Sequence, residues 1–214
     1  MNISINGEVS LSNDILKGYR DAAPMLIKRF ESISAEEKLA PVRAHLPLTP
    51  SRILDIGAGT GGDAGWFSSQ GHNILAVEPT AAFRQAGSLK HPSQNIEWIS
   101  DVLPALSRVS DRGEVFDLIL LSAVWHHLND PARAKVFSVL QRLLKANGKI
   151  ILSIRQGPGA PTRMAYPSRV TDVIALAEAQ DFILTHSVAA PSLQVNNRIA
   201  GVTWVWLVFH APNA

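Results

Sequence analysis

The 214-residue sequence predicts a single α/β domain, a mostly parallel sheet covered by helices on both faces. Three observations carry that expectation. After residue 51, short apolar runs alternate with segments of helical spacing. Runs such as residues 119–124 (ILLSAV) are continuously apolar, which suits strands buried on both sides. A glycine-rich stretch, residues 57–62, lies between the first run and the first helical segment that follows it.

In chain order, residues 13–39 come first. Ile15, Tyr19, Ala22, Ala23, Leu26, Ile27, Phe30 and Ile33 recur at i, i+3 and i+4, which predicts amphipathic helices. Ser34 followed by Glu37 resembles a capping box that opens a second short helix. The stretch 41–51 (PVRAHLPLTPS) gathers three prolines and separates a helical N-terminal cap, residues 1–50, from the region 51–214. Residues 52–56 (RILDI) form the first strand. Residues 62–70 are helical and stop at Gly71, and residues 73–77 (NILAV) form the second strand. A helix over 80–88 leads to a third strand at 95–99, and residues 115–121 (VFDLILL) form a fourth.

Pro131 suits the first turn of a helix running to Lys145, with Asp130 as its N-cap. Asn147 and Gly148 close it before a fifth strand at 149–154 (KIILSI). A helix over 170–179 precedes a sixth strand at 182–188, and the last strand covers 202–209. Only a turn-rich stretch, 189–200, separates the final two strands. They are therefore expected as an antiparallel pair, because parallel neighbours need a crossover. Trp204 and Trp206 share one face of the last strand and are expected to cover the sheet edge, while Trp98 in the third strand is expected in the core.

Composition excludes several kinds of chemistry. The chain has no cysteine, so disulfides, thiolate metal sites, iron–sulfur clusters and cysteine nucleophiles are ruled out. Twenty Lys and Arg against eighteen Asp and Glu leave a formal charge of +2, and the basic pI of about 9.1 rests on that small surplus. No Lys/Arg run marks a nucleic-acid face. The opening MNISINGEVS lacks the basic and apolar regions of a secretory signal. The apolar windows 115–125 and 202–209 fall short of the roughly 20 residues of a spanning helix. A cytoplasmic protein with no membrane partner is expected.

The sharpest signal is Leu54-Asp55-Ile56-Gly57-Ala58-Gly59-Thr60-Gly61-Gly62. Glycines 57, 59 and 62 have the G-x-G-x-x-G spacing after a strand and before a helix, and Glu78 follows at the end of the next strand. Small residues let a nucleoside cofactor approach the backbone, the helix N-terminus offers free N–H groups, and the acid can accept ribose hydroxyls. The plain alternative is a tight strand-to-helix turn without a ligand.

These residues resemble the class I S-adenosylmethionine-dependent methyltransferases. DIGAGTGG resembles that family's first motif, and AVEPT its second. Ser100-Asp101-Val102 is similar to the segment whose acid meets the adenine amino group. FDLILLSAVWHHL resembles the fourth-strand motif and LLKANGKIILSI the approach to strand five. The resemblance runs in register over about residues 19–209. It implies a three-layer Rossmann-like sandwich with a seven-stranded mixed sheet, the last strand antiparallel, and S-adenosylmethionine as cofactor. It also implies that the N-terminal helices lie over the cofactor as a lid, with Tyr19 and Arg20 matching the usual Tyr-x-x-x-Ala opening that ends at Ala23. Implied cofactor contacts are Tyr19, Arg20, Asp55, Gly57, Ala58, Gly59, Gly61, Glu78, Pro79, Asp101, Val102, Ser122 and Trp125.

Two readings of the residues favour a sulfonium cofactor over a dinucleotide. Asp55 would repel a diphosphate but can hold the ammonium of a methionine moiety; alternatively it caps the loop. No Tyr-x-x-x-Lys pair appears, since Val170 stands where the lysine after Tyr166 would be. An NAD(P)-dependent oxidoreductase is the second reading, and a regulatory module that binds the cofactor without turnover the third.

Ligands of open α/β sheets sit beyond the carboxyl ends of the strands, so residues 122–127 border the reacting methyl. Enzymes that methylate nucleobase amines resemble one another in an Asn/Asp-Pro-Pro-aromatic run there. This chain has Ser-Ala-Val-Trp, which, with the low charge, leaves a small-molecule acceptor as the expectation and a protein side chain as the alternative. His126 and His127 are the histidines at this position, and either can act as a general base or simply pack beneath and cap the following helix. No metal site is expected from His126, His127 and Asp130, because adjacent histidines rarely converge on one ion. Trp125 either walls the pocket or packs in the core. Arg155-Gln156-Gly157-Pro158-Gly159, with Arg163 and Tyr166 beyond it, reads as a rim loop that touches the acceptor.

Overall fold

The computed structural model describes residues 13–159 and 163–211. Three helices open it: α1 (Asn13–Asp21), α2 (Ala23–Glu31) and α3 (Ala35–Leu39), followed by a 3-10 turn over Ala40–His45. The Ser34 hydroxyl accepts the Glu37 N–H at 3.3 Å and so opens α3, as the Ser34/Glu37 spacing predicts. The strands are β1 (Arg52–Ile56), β2 (Asn73–Val77), β3 (Ile96–Ile99), β4 (Phe116–Leu121), β5 (Leu144–Gln156), β6 (Ile183–Pro191) and β7 (Thr203–His210). Between them run α4 (Gly62–Ser69), α5 (Ala81–Lys90), α6 (Ser107–Ser110), a 3-10 turn over Trp125–His127, α7 (Asp130–Leu143), α8 (Val170–Glu178) and α9 (Val195–Ile199).

The sheet has seven strands in the order β3-β2-β1-β4-β5-β7-β6. β1 to β5 pair in parallel, and β7 runs antiparallel to both β5 and β6. This is the three-layer, Rossmann-like mixed sheet the sequence predicts, with the last strand reversed. Alternation along each strand divides the core. Leu54, Ile56, Leu75 and Val77 face the layer of α6, α7 and α8, while Ile53, Ile74, Ala76 and Leu118 face α3, the first 3-10 turn and α4. α2 packs its Leu26 against Phe83 of α5. The proline-rich stretch is a strut: His45 stacks on His186 of β6, with ring centroids 4.6 Å apart, and its carbonyl accepts the Lys149 ammonium at 3.2 Å.

Four local expectations are corrected. β7 lies inside the sheet, so Trp204 and Trp206 cover no edge; β6 is the edge, which is why its burial alternates residue by residue. The N-cap of α7 is Asn129, whose side chain accepts the Ala132 N–H at 3.0 Å; Asp130 instead occupies the first turn and pairs with Arg133. α7 ends at Leu143, short of Lys145, because the chain enters the long β5 strand, with an irregularity in the β4–β5 register between Phe116 and Leu118. The turn-rich stretch before β7 contains α9, too short to carry a helical period.

Trp98 is half-buried, not enclosed in the core, and it explains two glycines. A Cβ at Gly61 would come within 2.7 Å of its ring, and one at Gly87 would overlap the ring and lie 2.9 Å from the Thr60 carbonyl oxygen. Alanine at an exposed helix position would normally gain about 1 kcal/mol over glycine. Gly87→Ala is expected to do the reverse, lowering stability by about 1–3 kcal/mol through overpacking. Urea unfolding of Gly87→Ala and of Gly87→Ala/Trp98→Leu, each against its own Gly87 parent, checks this. The cost of the alanine should be smaller in the Trp98→Leu background, with the part due to the Thr60 carbonyl remaining.

Candidate active site

A cavity of about 690 Å³ opens at the carboxyl ends of β1 to β6 and the amino end of β7, within the 300–1,000 Å³ range of ligand pockets. All five parallel strands and the reversed one deliver residues to it: Gly57, Glu78, Asp101, Ser122, Arg155 and Trp204. Tyr19 of α1 and Phe30 of α2 cover it from the N-terminal side.

The glycine loop is fastened from two directions. The Gly57 and Ala58 amides donate to the Val77 carbonyl at 2.8 and 3.0 Å. One Glu78 oxygen accepts the Gly59 N–H at 3.0 Å and the other accepts the Thr80 N–H at 2.7 Å. Burial pushes the Glu78 carboxyl up, and these bonds from Thr80 and Gly59 pull it back. Gly59 has φ +58°, a conformation in which a β-branched residue is strained, and it faces Phe30. Asp101 lines the cavity, with each oxygen already accepting a backbone N–H, from Val102 at 2.8 Å and Val109 at 2.9 Å. Each oxygen keeps a second lone pair for a ligand. Ala58, Pro79, Val102 and Ser122 also line the cavity.

Four of the expected cofactor contacts do not reach it. Asp55 shares the parity of Ile53, so its side chain goes to the α4 face, away from the cavity wall. There it is buried beside Asp63 with one oxygen unpartnered, and burial first and Asp63 second raise its carboxyl. Lys38 of α3 pairs with Asp63 at 2.6 Å. Gly61 turns toward Trp98, and Arg20 is exposed on α1. Trp125 is fully buried, stacks near Phe137 at 5.5 Å, and donates its indole N–H to the Ser168 hydroxyl at 3.1 Å; it is core, not wall. The acid of this pair that does line the cavity is Asp63, with its own buried unpartnered oxygen.

The other end of the cavity holds a hydrogen-bonded relay. The His127 Nδ1 faces the Met164 carbonyl at 3.0 Å, which only accepts, so Nδ1 carries the proton. Nε2 is then an acceptor, and Tyr19 O–H donates to it at 2.7 Å. Burial pushes the Tyr19 phenol up to about 12 and the His127 imidazole down to about 4. Both groups are therefore neutral at pH 7. His126 stacks on His127 at 4.1 Å and lies 5.7 Å from the Trp204 ring, with its Nδ1 buried and unpartnered; burial, then His127, lowers it well below the usual range. Asp130 does not join the histidines, since its side chain is exposed and turned to Arg133.

Buried Arg133 holds the relay in place. It donates to the Tyr166 carbonyl at 2.7 Å and to the Pro167 carbonyl at 3.0 Å, while the Tyr166 N–H donates to the His126 carbonyl at 2.7 Å. The segment carrying Met164 is thereby stitched to the 3-10 turn that carries both histidines. Sequence spacing contained no signal for Lys38, Asp63 or Arg133.

Comparison with known proteins agrees with this geometry. Residues 54–152 match the methyltransferase domain family. An uncharacterized methyltransferase of Alkaliphilus oremlandii is 28% identical over 100 residues, which is 47% of this chain and 44% of that protein. The matched part spans less than half of that relative. The crystal structure of Burkholderia thailandensis 1,6-didemethyltoxoflavin-N1-methyltransferase, with 1,6-didemethyltoxoflavin and S-adenosylhomocysteine bound, superposes with TM-score 0.71 at 20% identity, over 94% of this chain and 86% of that one. The N-methyltransferase NodS of Bradyrhizobium japonicum, in complex with S-adenosylhomocysteine, gives TM-score 0.71 at 15% identity, over 94% of this chain and all of that one. Both likenesses are of fold.

Two outcomes follow from the buried charges. Lys38→Met should lower stability by about 1–3 kcal/mol, because it leaves the buried Asp63 carboxylate without its cation and against the Asp55 carboxyl, and adding Asp55→Asn should return part of that loss. For His127, a folded value near 4 against 6.5 means that the unfolded chain binds the extra proton between those pH values. Stability is then complete above about pH 6.5 and falls toward pH 4 by on the order of 3 kcal/mol. Urea denaturation at pH 7 and pH 4.5 should show a shallower acid loss in His127→Asn than in the parent protein.

Proposed function

We propose that this chain, whose central sheet carries a methyltransferase domain of the class I S-adenosylmethionine-dependent family, catalyses methyl transfer from that cofactor to a small molecule. The single observation that carries the reading is Glu78, tied to the glycine loop at the rim of a cavity roomy enough for a nucleoside cofactor and an acceptor together.

The residues present fit the cofactor. Glu78 and Asp101 keep lone pairs for a ribose and an adenine amino group, and Gly59 leaves the loop open where a side chain would intrude. When bound, S-adenosylmethionine supplies an electrophilic methyl on a positively charged sulfur. The work left to the chain is alignment and exclusion of water, which can contribute about 7–11 kcal/mol. α1 and α2, within the N-terminal segment 1–50, serve as the lid. Tyr19 lines the cavity from that lid and borders the acceptor rather than the cofactor alone. A protonated acceptor atom hydrogen-bonds to the Tyr19 oxygen, and as its proton is lost Tyr19 passes its own to His127 Nε2. Nδ1–H stays on the Met164 carbonyl throughout.

The small-molecule acceptor is favoured by the enclosed, covered cavity and by the low net charge, which give no extended basic face to a nucleic acid. Among the described residues no helix is long and apolar enough to cross a membrane.

Thermal denaturation with S-adenosylhomocysteine, NAD(H), NADP(H) and FAD tests the cofactor. Only S-adenosylhomocysteine should raise the midpoint, and stabilisation by a nicotinamide nucleotide instead would overturn the assignment. By calorimetry, Glu78→Ala and Gly59→Val should each weaken S-adenosylhomocysteine at least about tenfold. Tyr19→Phe should lower kcat about a hundredfold with little change in that affinity. Cofactor binding without turnover across an acceptor panel would leave a regulatory module.

A further inference from the structure

One wall of the cavity is chemically unlike the rest. The acids that line it, Asp63, Glu78 and Asp101 among them, lie toward the glycine loop and the ends of β2 and β3. The opposite wall, built from β5, β7 and the residues Pro158, Gly159, Arg163 and Ala165, presents Arg155 and Arg163. Among its described residues that wall holds no carboxylate, and neither arginine forms an ion pair. Elsewhere, Arg52 and Arg112 share Glu97 and Glu114.

Both guanidinium groups are held by neutral partners. Arg155 donates from Nε and Nη2 to the Pro158 carbonyl at 2.9 and 2.6 Å, and its Cζ lies 5.7 Å from the Trp204 ring centroid. Arg163 stacks its guanidinium 5.0 Å from the Tyr19 ring centroid. Each is half-buried. Arg155 is pulled below its ordinary value by burial, and Arg163 adds to the pull. Two like charges, partly desolvated and facing one enclosed space, are costly until an anion enters between them. A guanidinium held on an aromatic face keeps its remaining N–H groups for an oxyanion, the geometry in which arginine outperforms lysine.

We infer that the acceptor carries an oxyanion, a carboxylate or a phosphate group, that Arg155 and Arg163 receive while Tyr19 and His127 border the atom to be methylated. The inference rests on the methyl-transfer reading and adds the class of acceptor. The aromatic rings of Tyr19 and Trp204, one behind each guanidinium, set where the anion sits. An anion there also offsets the two charges that oppose a positive His127, so the same contact that selects the acceptor makes the relay a better base.

The test uses the full chain loaded with S-adenosylhomocysteine, with loading measured first and separately, so that a failure of cofactor binding is seen as such. Benzoate, inorganic phosphate and neutral benzamide are then titrated by calorimetry into the parent protein, Arg155→Gln, Arg163→Gln and the double variant. Benzoate or phosphate should bind at least about tenfold more tightly than benzamide, and each substitution should weaken that anion about tenfold. Arg163→Lys should recover part of the loss, and S-adenosylhomocysteine affinity should stay within about threefold throughout, which reports a folded protein. Preference for benzoate over phosphate assigns a carboxylate acceptor, and the reverse a phosphorylated one. Equal binding of benzamide and both anions, or anion binding untouched in the double variant, would overturn the inference.

Discussion

The carboxylate of Glu78 is the interaction on which the rest of the structure turns. It is buried, and the backbone N–H groups of Gly59 and Thr80 satisfy it. Those two amides belong to different crossovers, the loop after β1 and the entry to α5. A single side chain therefore ties the ends of neighbouring strands into one rim. Because a buried unpaired carboxylate is costly, the loop is drawn toward Glu78 rather than left to sample the cavity. The Gly57 and Ala58 amides, both bonded to the Val77 carbonyl, complete the same junction from the backbone side. The glycine-loop end is thus preorganised by one side chain acting on backbone groups.

The other end of the cavity, the proposed acceptor end, is built on a different principle. Its polar contacts come from side chains that are distant in sequence: Tyr19 bonds His127 across 108 positions, and Arg163 lies against Tyr19. None of these groups is regular structure of the sheet. They are brought together by α1 lying over the cavity and by Arg133 pinning the segment before α8. The two ends of the cavity are therefore held by different means, hydrogen bonds to loop backbone at one and contacts between sequence-distant side chains at the other.

That division also explains what was legible in the sequence. Glycine spacing, Glu78 and the alternation of strands and helices are local signals, because the conformations they serve are local. The path of Asp55 was in principle legible too: Leu54 and Ile56 take one face of β1, so Asp55 must take the other with Ile53. The placement of Asp63 beside it needs the α4 crossover, and its pairing with Lys38 needs α3, neither of which spacing conveys. β7 was misplaced because two antiparallel strands joined by a short connection leave open which of them meets β5. The continuously apolar run at its end, Leu207, Val208 and Phe209, was the sign of an interior strand. The Tyr19–His127 bond had no precursor in the pattern, since each residue taken alone reads equally well as packing.

The position of β7 has a consequence for how the chain is made. β6 has one hydrogen-bonding neighbour, β7, and β5 meets β6 only through it. During vectorial synthesis β6 therefore emerges without a hydrogen-bonding strand neighbour, and β5 presents a bare edge, until β7 has left the ribosome and slides between them. The half of the sheet that carries Trp204 and Arg155 is completed last, well after the glycine loop has its neighbours. A nascent chain could thus have a finished glycine loop before the Arg155 and Trp204 side of the cavity exists.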